Sequence, residues 1–152
     1  MRHSLRLMKM PSQTQPGLVD RLALARHRAR AAAAPALFLH EDAAFEVEDR
    51  LSEVNKTFTA PAVVTAFPAP WQQILPQAKI IADEEVLDLE EGAHDLVIHA
   101  LALHWANDPV GQLVQCRRAL KPDGLLMCVA FGGETLHELR AALGQAEIAV
   151  TA

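Results

Sequence analysis

The segment from Ala93 to Gly133 constrains the fold of this chain more than any other stretch. It opens with a short continuous apolar run, Asp95 to His99, of the kind that is buried on both faces, as parallel strands are. A helix is predicted from Pro109 to Leu120, because apolar residues recur there at helical spacing after the capping candidates Asn107 and Asp108. A second buried strand is predicted from Leu125 to Phe131. Strand, helix and strand in this order form a right-handed crossover, which predicts a parallel sheet.

Lys121 to Gly124 is predicted to be the turn between this helix and the second strand, since proline cannot continue a helix and glycine suits a tight turn. The two cysteines, Cys116 in the helix and Cys128 in the strand, are predicted to be small buried core residues in a reducing compartment. Neither has a Cys or His neighbour at metal-binding spacing. No metal site is predicted.

Composition predicts one small domain, since 152 residues that are 51% hydrophobic and 22% charged can bury a core. The net charge of −5 hides an asymmetry: residues 1–30 carry seven Lys or Arg against one acid, and the rest carries seven against eighteen. An acidic body argues against a nucleic-acid partner. No apolar run approaches the roughly twenty residues of a membrane span, so no membrane partner is predicted.

The domain organisation predicted from the sequence has three parts. Residues 1–17 form a flexible basic leader, residues 18–58 form N-terminal helices, and residues 59–152 form a partial α/β domain. Helices are predicted at Val19–Ala34 and Glu41–Lys56, and both are expected to be amphipathic. The predicted location is cytoplasmic. The alternative is mitochondrial, because an Arg-rich leader without acids is also typical of an organelle transit peptide.

Longer motifs carry a family resemblance. "HDLVIHALALHWANDP…RRALKPDGLLM" resembles the fourth and fifth strands of class I S-adenosylmethionine (SAM) dependent methyltransferases of the type 11 group. "LKPDG" and "FGGETLHELR…AE" are similar to the branch that holds the malonyl-carrier-protein methyltransferase of biotin synthesis and the methyltransferase-like complex I assembly factor. The likeness runs from Ile80 to Glu147, and more weakly from Arg26 to Phe58. It implies a Rossmann-like parallel sheet with flanking helices, here truncated and preceded by N-terminal helices.

The resemblance implies SAM as cofactor and places five residues near it. Asp83 falls on the carboxylate that accepts the adenine amino hydrogen bond, and Glu84 follows it. His99 and Ala100 end a buried strand, where open α/β sheets bind ligands, and Trp105 lies in the loop after that strand. Other interpretations stay open: solvated charges at a helix start for Asp83 and Glu84, a backbone-bonded histidine for His99, and a packing anchor for Trp105.

The remaining histidines receive plainer interpretations. His94 is predicted, with Asp95, to be a turn or capping residue at the wrong end of the strand for chemistry. His27, His40 and His137 are predicted to be surface residues on helices.

One part of the chain departs from the family pattern. The first strand is predicted within Ala60–Phe67, but Pro68 and Pro70 follow it where the family has a glycine-rich turn that lets the backbone approach the ligand. Only about fifteen residues then separate Phe67 from Asp83, too few for a helix, a strand and a second helix. The second strand of the family, which carries a ribose-binding carboxylate, is therefore predicted to be missing.

The sequence ends with a helix predicted at Glu134–Glu147, with Leu136, Leu139, Leu143 and Ala146 on one face. The last strands of the family are not predicted after it. The chain is therefore expected to be either a fragment of a longer coding region or a minimal form with an open sheet edge, which favours a homodimer.

Two functions follow from the sequence. The first is a SAM-dependent methyltransferase acting on a small acid, a carrier-bound acyl group or a protein. No catalytic residue is predicted, since methyl transfer depends mainly on proximity and orientation. The second is a non-catalytic interaction or assembly protein that has lost the cofactor; in the complex I assembly branch the resemblance implies modification of a partner protein, hydroxylation included.

Overall fold

The computed structural model describes residues 17–151, which form a four-stranded parallel sheet with helices around it. The predicted α/β class with a Rossmann-like parallel sheet is confirmed. The sheet order is β2-β1-β3-β4, and each neighbouring pair is parallel. The strands are β1 (Pro61–Val64), β2 (Lys79–Ile81), β3 (His94–Ala100) and β4 (Leu120–Val129). The predicted leader, residues 1–17, lies outside the described residues except for Gly17.

Three of the helices begin where the sequence supplies a cap or a proline: α1 after Asp20, α3 at Pro68 and α4 after Asp108 at Pro109. Asp20 and Asp108 accept hydrogen bonds from the amides of Ala23 (2.9 Å) and Gly111 (2.8 Å), which satisfies donors that a helix start leaves free. The helices are α1 (Arg21–Ala31), α2 (Phe38–Glu53), α3 (Pro68–Ile74), α4 (Pro109–Ala119) and α5 (His137–Thr151), with a 3₁₀ turn at Leu103–Trp105. Helices are present in the predicted N-terminal and crossover segments, but α1 and α2 differ in their bounds from the predicted Val19–Ala34 and Glu41–Lys56. Within residues 17–151, no helix is long and apolar enough to cross a membrane.

The core lies on both faces of the two central strands. Because successive side chains of a strand point to opposite faces, β1 and β3 each contribute to two apolar clusters. One cluster, on the side of α2 and α3, contains Val47, Val63, Trp71, Leu96 and Ile98. The other, on the side of α4, contains Ala62, Val64, Val97, Cys116 and Leu120. The continuous apolar runs of β1 and β3 are therefore strands buried on both faces.

The last strand corrects a prediction. Leu125–Phe131 was expected to be buried on both faces, but the strand ends at Val129, most of its side chains are only half-buried, and Cys128 is exposed rather than in the core. The reason is its position, since β4 is the edge of the sheet and has a strand neighbour on one side only among the described residues. The predicted helix Glu134–Glu147 begins only at His137, and its apolar side chains are exposed: Leu139 and Leu143 at 51% and 61%, with Leu136 just before the helix at 65%.

The segment between β1 and β2 bears out the predicted shortening. In a doubly wound sheet with strand order 3-2-1-4-5-6, two strands lie between the first strand and the nearer edge of the sheet, that edge strand included. Among the described residues of this chain, β2 alone lies on that side of β1. The connection is the single short helix α3. Pro68 starts that helix, as proline does well at a first helical position where no amide donor is needed.

The start of β3 contains a polar anchor. Asp95 lies within β3 and is not the predicted turn or capping residue; its carboxylate accepts hydrogen bonds from the Thr59 amide (2.6 Å), the Thr59 hydroxyl (2.9 Å) and the Ala60 amide (3.0 Å). Partial burial opposes ionisation, but these hydrogen bonds outweigh it and lower the pKa of Asp95. His94 is not a turn residue as predicted: it is the buried first residue of β3, and its Nδ1 donates to the Ala60 carbonyl (3.0 Å).

Candidate functional site

The strand order creates a switch point between β1 and β3. The chain leaves β1 to form β2 on one side and then returns to form β3 on the other, so the connections diverge above the carboxyl ends of β1 and β3. Open α/β sheets bind ligands in the crevice at such a point. A groove of about 570 Å³ lies there, between α1 and the loops after the two strands. Its walls include Leu18, Leu24, His27, Arg28, Phe67 and Trp105.

Asp83 lies at this edge, and its carboxylate is already bound. The residue is 3% exposed, and Arg28 of α1 donates to both oxygens, Nη1 to Oδ1 at 2.9 Å and Nη2 to Oδ2 at 2.7 Å. Such a bidentate, charge-assisted pair is among the strongest hydrogen-bonded contacts in proteins. The interpretation of Asp83 and Glu84 as helix-start charges is wrong, because residues 82–93 contain no helix.

Glu84 is a more exposed partner of the same helix. Its side chain is 70% exposed and pairs with Arg21 at 3.1 Å. Arg21 also donates to two backbone carbonyls, Asp83 O at 2.7 Å and Trp105 O at 3.3 Å. Through Arg21, α1 therefore contacts both the loop after β2 and the loop after β3.

Arg21 and Arg28 are site residues that the sequence interpretation missed. They are seven residues apart with Leu24 between them, a spacing that places all three on one face of α1. The charge asymmetry was the available signal, since a basic start and an acidic body are complementary. Nothing in the sequence alone pairs a particular arginine with Asp83.

His99 and Ala100 are fully buried in the sheet and do not line the groove. His99 Nε2 contacts Gln112 Oε1 at 2.8 Å, and the Gln112 amide nitrogen donates to the Glu84 carbonyl at 2.8 Å. The amide oxygen of Gln112 is thus the acceptor, so Nε2 of His99 carries the proton. Burial lowers the pKa of His99, opposed by the Gln112 hydrogen bond and the charge of Asp83, and the ring is neutral near pH 7.

Two further histidines stand among aromatic rings near the groove. His40 was predicted to be a surface residue, but it is half-buried: its ring centroid lies 4.7 Å from that of Phe67, and the Trp71 indole donates to its Nδ1 at 3.4 Å. His104 lies 4.7 Å from the ring of Trp105 and 5.0 Å from that of Phe131. Burial lowers the pKa of both histidines, and the Arg28 guanidinium adds to the effect.

The loop after β3 is held in place by Asn107. Its side-chain oxygen accepts from the Val19 amide at 2.8 Å, and its side-chain nitrogen donates to the carboxylate of Glu85 at 2.8 Å. The same loop begins with Leu101 at a φ of 50°, a conformation that non-glycine residues rarely adopt and that is often found at functional sites. Trp105 of this loop is 37% exposed and forms one wall of the groove.

The described conformation does not fit SAM. The resemblance assigns the adenosine group to the Asp83 carboxylate, and both oxygens of that carboxylate accept hydrogen bonds from Arg28. A methionine group would require a backbone cradle after β1, but residues 65–70 contain no glycine, and Pro68 and Pro70 have no amide donor. In residues 17–151, no group of three or more His, Cys, Asp or Glu side chains is placed to hold a metal ion.

Comparison with known proteins identifies several relatives. Two of them align with more than half of this chain. Arginine-hydroxylase NDUFAF5, mitochondrial, of Mus musculus is 42% identical over 94 residues, 62% of this chain. Malonyl-[acyl-carrier protein] O-methyltransferase of Halorhodospira halophila is 38% identical over 95 residues, 61% of this chain. The corresponding enzyme of Laribacter hongkongensis is 46% identical over 65 residues, 43% of this chain. These alignments cover 27%, 32% and 22% of the relatives, so the chain spans about a fifth to a third of their length.

A family model supports the same relationship. The model described as a methyltransferase domain matches residues 46–128, which is more than half of the chain and includes β1 to most of β4. No solved structure matches the chain. The extent of the family match and the parallel sheet together show that this chain belongs to the type 11 methyltransferase family.

Proposed function

We propose that this domain belongs to a SAM-dependent methyltransferase and that its ligand occupies the groove at the switch point. The observation that carries the proposal is the groove itself, which lies above the carboxyl ends of β1 and β3 with Phe67 and Trp105 as aromatic walls. Aromatic and apolar walls with a few polar groups are typical of cofactor sites. Binding requires that Arg28 leave Asp83, so no chemical step is assigned to a residue of this conformation.

The proposed acceptor is a small acid, a carrier-bound acyl group or a protein. Two relatives are named for action on malonyl-[acyl-carrier protein] and one for hydroxylation of arginine. Each of these names supports an acceptor group that is carried by a protein. The acidic body supports the proposal that nucleic acid is not the acceptor.

Isothermal titration with SAM and with its demethylated product tests the proposal. Binding with a micromolar dissociation constant is expected for the wild type, and Asp83→Ala or Trp105→Ala should weaken it. Val110→Ala is the matched control, since Val110 is 70% exposed on α4 and does not line the groove. Absence of heat with both ligands for the wild type would contradict the proposal.

A second candidate is a non-catalytic interaction or assembly module. The observation in its favour is α3, a proline-initiated helix that replaces the glycine turn after β1. Its proposed partners are another protein or a second copy of this chain, bound through the open edge of β4. Light scattering coupled to size exclusion tests the dimer, and Cys128→Lys, which places a charge at that edge, should shift the mass towards the monomer.

The cellular location is proposed on two observations. Cys116 and Cys128 are both free thiols, which supports a reducing compartment such as the cytoplasm. The name of the mouse relative says mitochondrial, which supports the alternative. A fluorescent protein fused after residues 1–17 and imaged in cells distinguishes the two, since only a transit peptide would direct the fusion to mitochondria.

A further inference from the structure

We infer that the switch-point groove binds a carboxylic acid with an apolar chain, such as octanoate, with the chain along α1 and the carboxylate at the arginines of that helix. The inference rests on the proposed function in one respect, that this groove is a ligand site. It deepens that function by selecting one of the three proposed acceptors, the small acid, and by giving that acid an apolar chain.

The wall that α1 forms is largely apolar. The groove is open, and its volume of about 570 Å³ lies in the range of small-molecule sites. Its apolar lining consists of Leu18, Val19, Ala23, Leu24 and Ala31 from α1 and the residues before it, and of Phe67 and Trp105. Two of these side chains, Leu18 and Trp105, are 81% and 37% exposed. Apolar surface that faces water in a groove favours an apolar ligand, since each methylene group that binds there leaves water.

The polar groups of the lining favour a ligand that carries oxygen acceptors. Of the described residues that line the groove, Asp20 alone is acidic, and its carboxylate already accepts from the Ala23 amide at 2.9 Å. Asp83, to which the resemblance assigns the adenosine group, is not part of the lining. The other polar side chains there are His27 and Arg28, and a guanidinium can only donate. A carboxylate, which only accepts, complements such a lining.

His27 is held so that it offers a hydrogen-bond donor. Arg30 Nη2 lies 2.8 Å from His27 Nδ1. Because a guanidinium has no acceptor, Nδ1 must be the acceptor of this contact, and in the neutral ring the proton is on Nε2. His27 therefore has an N–H group for a ligand oxygen, on a residue that lines the groove.

Charge complementarity favours an anionic head group. Ala23 and His27 also line a neighbouring hollow, whose other residues are Arg26, Ala29 and Arg30. Within residues 17–151, neither arginine is paired with an acid: Arg30 contacts His27, and Arg26 is exposed with no partner found. On a chain with a net charge of −5, two cations without acidic partners beside one groove attract an anion to it.

Isothermal titration with sodium octanoate tests the inference. The wild type should bind octanoate with a dissociation constant of about 1 mM or less. Butanoate should bind at least roughly tenfold more weakly, because fewer methylene groups leave water. Octanol, which has the same chain without the charge, should bind at least roughly threefold more weakly than octanoate. Absence of heat with octanoate, or equal affinities for octanoate and either of the other two compounds, would overturn the inference.

Ala31→Glu tests whether the acid binds in this groove. Ala31 is an exposed residue of α1 that lines the groove, so the new carboxylate should weaken octanoate binding at least roughly tenfold. Ala25→Glu is the matched control, because it makes the same charge change at an exposed position of the same helix outside the lining. Trp105→Ala removes an aromatic wall and serves if circular dichroism shows that Ala31→Glu does not fold. Octanoate binding that withstands the change would overturn the inference, since the acid would then bind elsewhere.

Parallel titration with SAM separates this inference from the proposed function. Heat with SAM and none with octanoate would overturn the inference and leave the proposed function standing. Heat with octanoate that is lost in Ala31→Glu, with none from SAM or its demethylated product, would support the acid site and contradict the proposed function.

Discussion

The central strands and the first helix of this domain are attached by different forces. β1 and β3 place every one of Ala62, Val63, Val64, Val97 and Ile98 at 0% exposure between two helical layers. α1 lies over the carboxyl ends of the same strands, but it buries one leucine and relies on two arginines. The difference teaches that a frame held by apolar packing (β1 and β3) and a cover held mainly by polar contacts (α1) can lie next to each other in one small domain.

The two kinds of attachment differ in how much they stabilise the fold and in how they respond to solvent. Apolar burial stabilises the central strands by about 1.5–3 kcal/mol for each large aliphatic side chain, and this is lost only when the frame unfolds. The pair of Arg21 with the exposed Glu84 contributes about 0–1 kcal/mol and exchanges readily with water and salt, whereas the bidentate pair of Arg28 with the buried Asp83 is stronger. The following predictions test this comparison, in order of decreasing expected effect.

The largest effect is expected in the frame. Ile98→Ala should lower the free energy of unfolding by about 2–5 kcal/mol, because it leaves a cavity in a fully buried cluster of β3. Urea denaturation followed by far-ultraviolet circular dichroism measures the change. Val110→Ala, at a site that is 70% exposed, should change it by less than about 0.5 kcal/mol. Equal effects at the two sites would contradict the burial of β3.

A smaller effect is expected at Gln112, the buried polar link between His99 of β3 and the loop after β2. Gln112→Leu removes the acceptor of His99 and the donor to the Glu84 carbonyl, and should cost about 1–3 kcal/mol in unfolding free energy because buried polar groups lose their partners. Gln72→Leu, at an exposed position of α3, is the control for the change in side-chain polarity. Equal unfolding midpoints for the two variants would contradict the link.

A pH-dependent effect is expected from the histidines. The pKa values of His40, His99 and His104 lie below the usual value of about 6.5, so the folded state binds fewer protons than the unfolded state in mildly acidic solution. Stability should therefore be full above about pH 6.5 and fall as the pH drops below it. Urea midpoints between pH 7.5 and pH 5 measure the slope. His99→Asn should flatten it, whereas His137→Asn, on exposed α5, should not.

The smallest effect on global stability is expected at the cover. Arg21→Gln should lower the unfolding free energy by less than about 1 kcal/mol, since its partner Glu84 is 70% exposed. The exchange of the first α1 amides should nevertheless increase, because the helix loses contacts to Asp83 O and Trp105 O. A destabilisation as large as that of Ile98→Ala would contradict the comparison, because α1 would then contribute as much to global stability as β1 and β3 do.

Much of the frame could be predicted from the sequence because its signals are local. The continuous apolar run of β3, the cap and proline that start α4, and the short connection between β1 and β2 each depend on neighbouring residues. The predicted burial of Cys128 was wrong for a non-local reason, since the same apolar pattern suits a central strand and an edge strand.

The candidate site was predictable in part. Asp83 and Trp105 lie at the predicted edge, whereas His99 is enclosed between the sheet and α4, and Ala100 is enclosed on the opposite face by α2 and α3. The strand period fixes which face His99 points to, but the depth of that face depends on Gln112, thirteen residues away. The cofactor roles of all five residues stay predictions.

The sequence by itself determined the parallel α/β class, the start of α4 and the absence of glycine after β1, because apolar periodicity, capping and backbone freedom act over a few residues. The tertiary structure alone decided that Arg28 binds Asp83, that Arg21 spans two loops and that β4 forms an edge. These contacts join residues 55 to 84 positions apart or depend on strand order. Charge–charge attraction carries no sequence period, so only the folded chain selects which arginine meets which carboxylate.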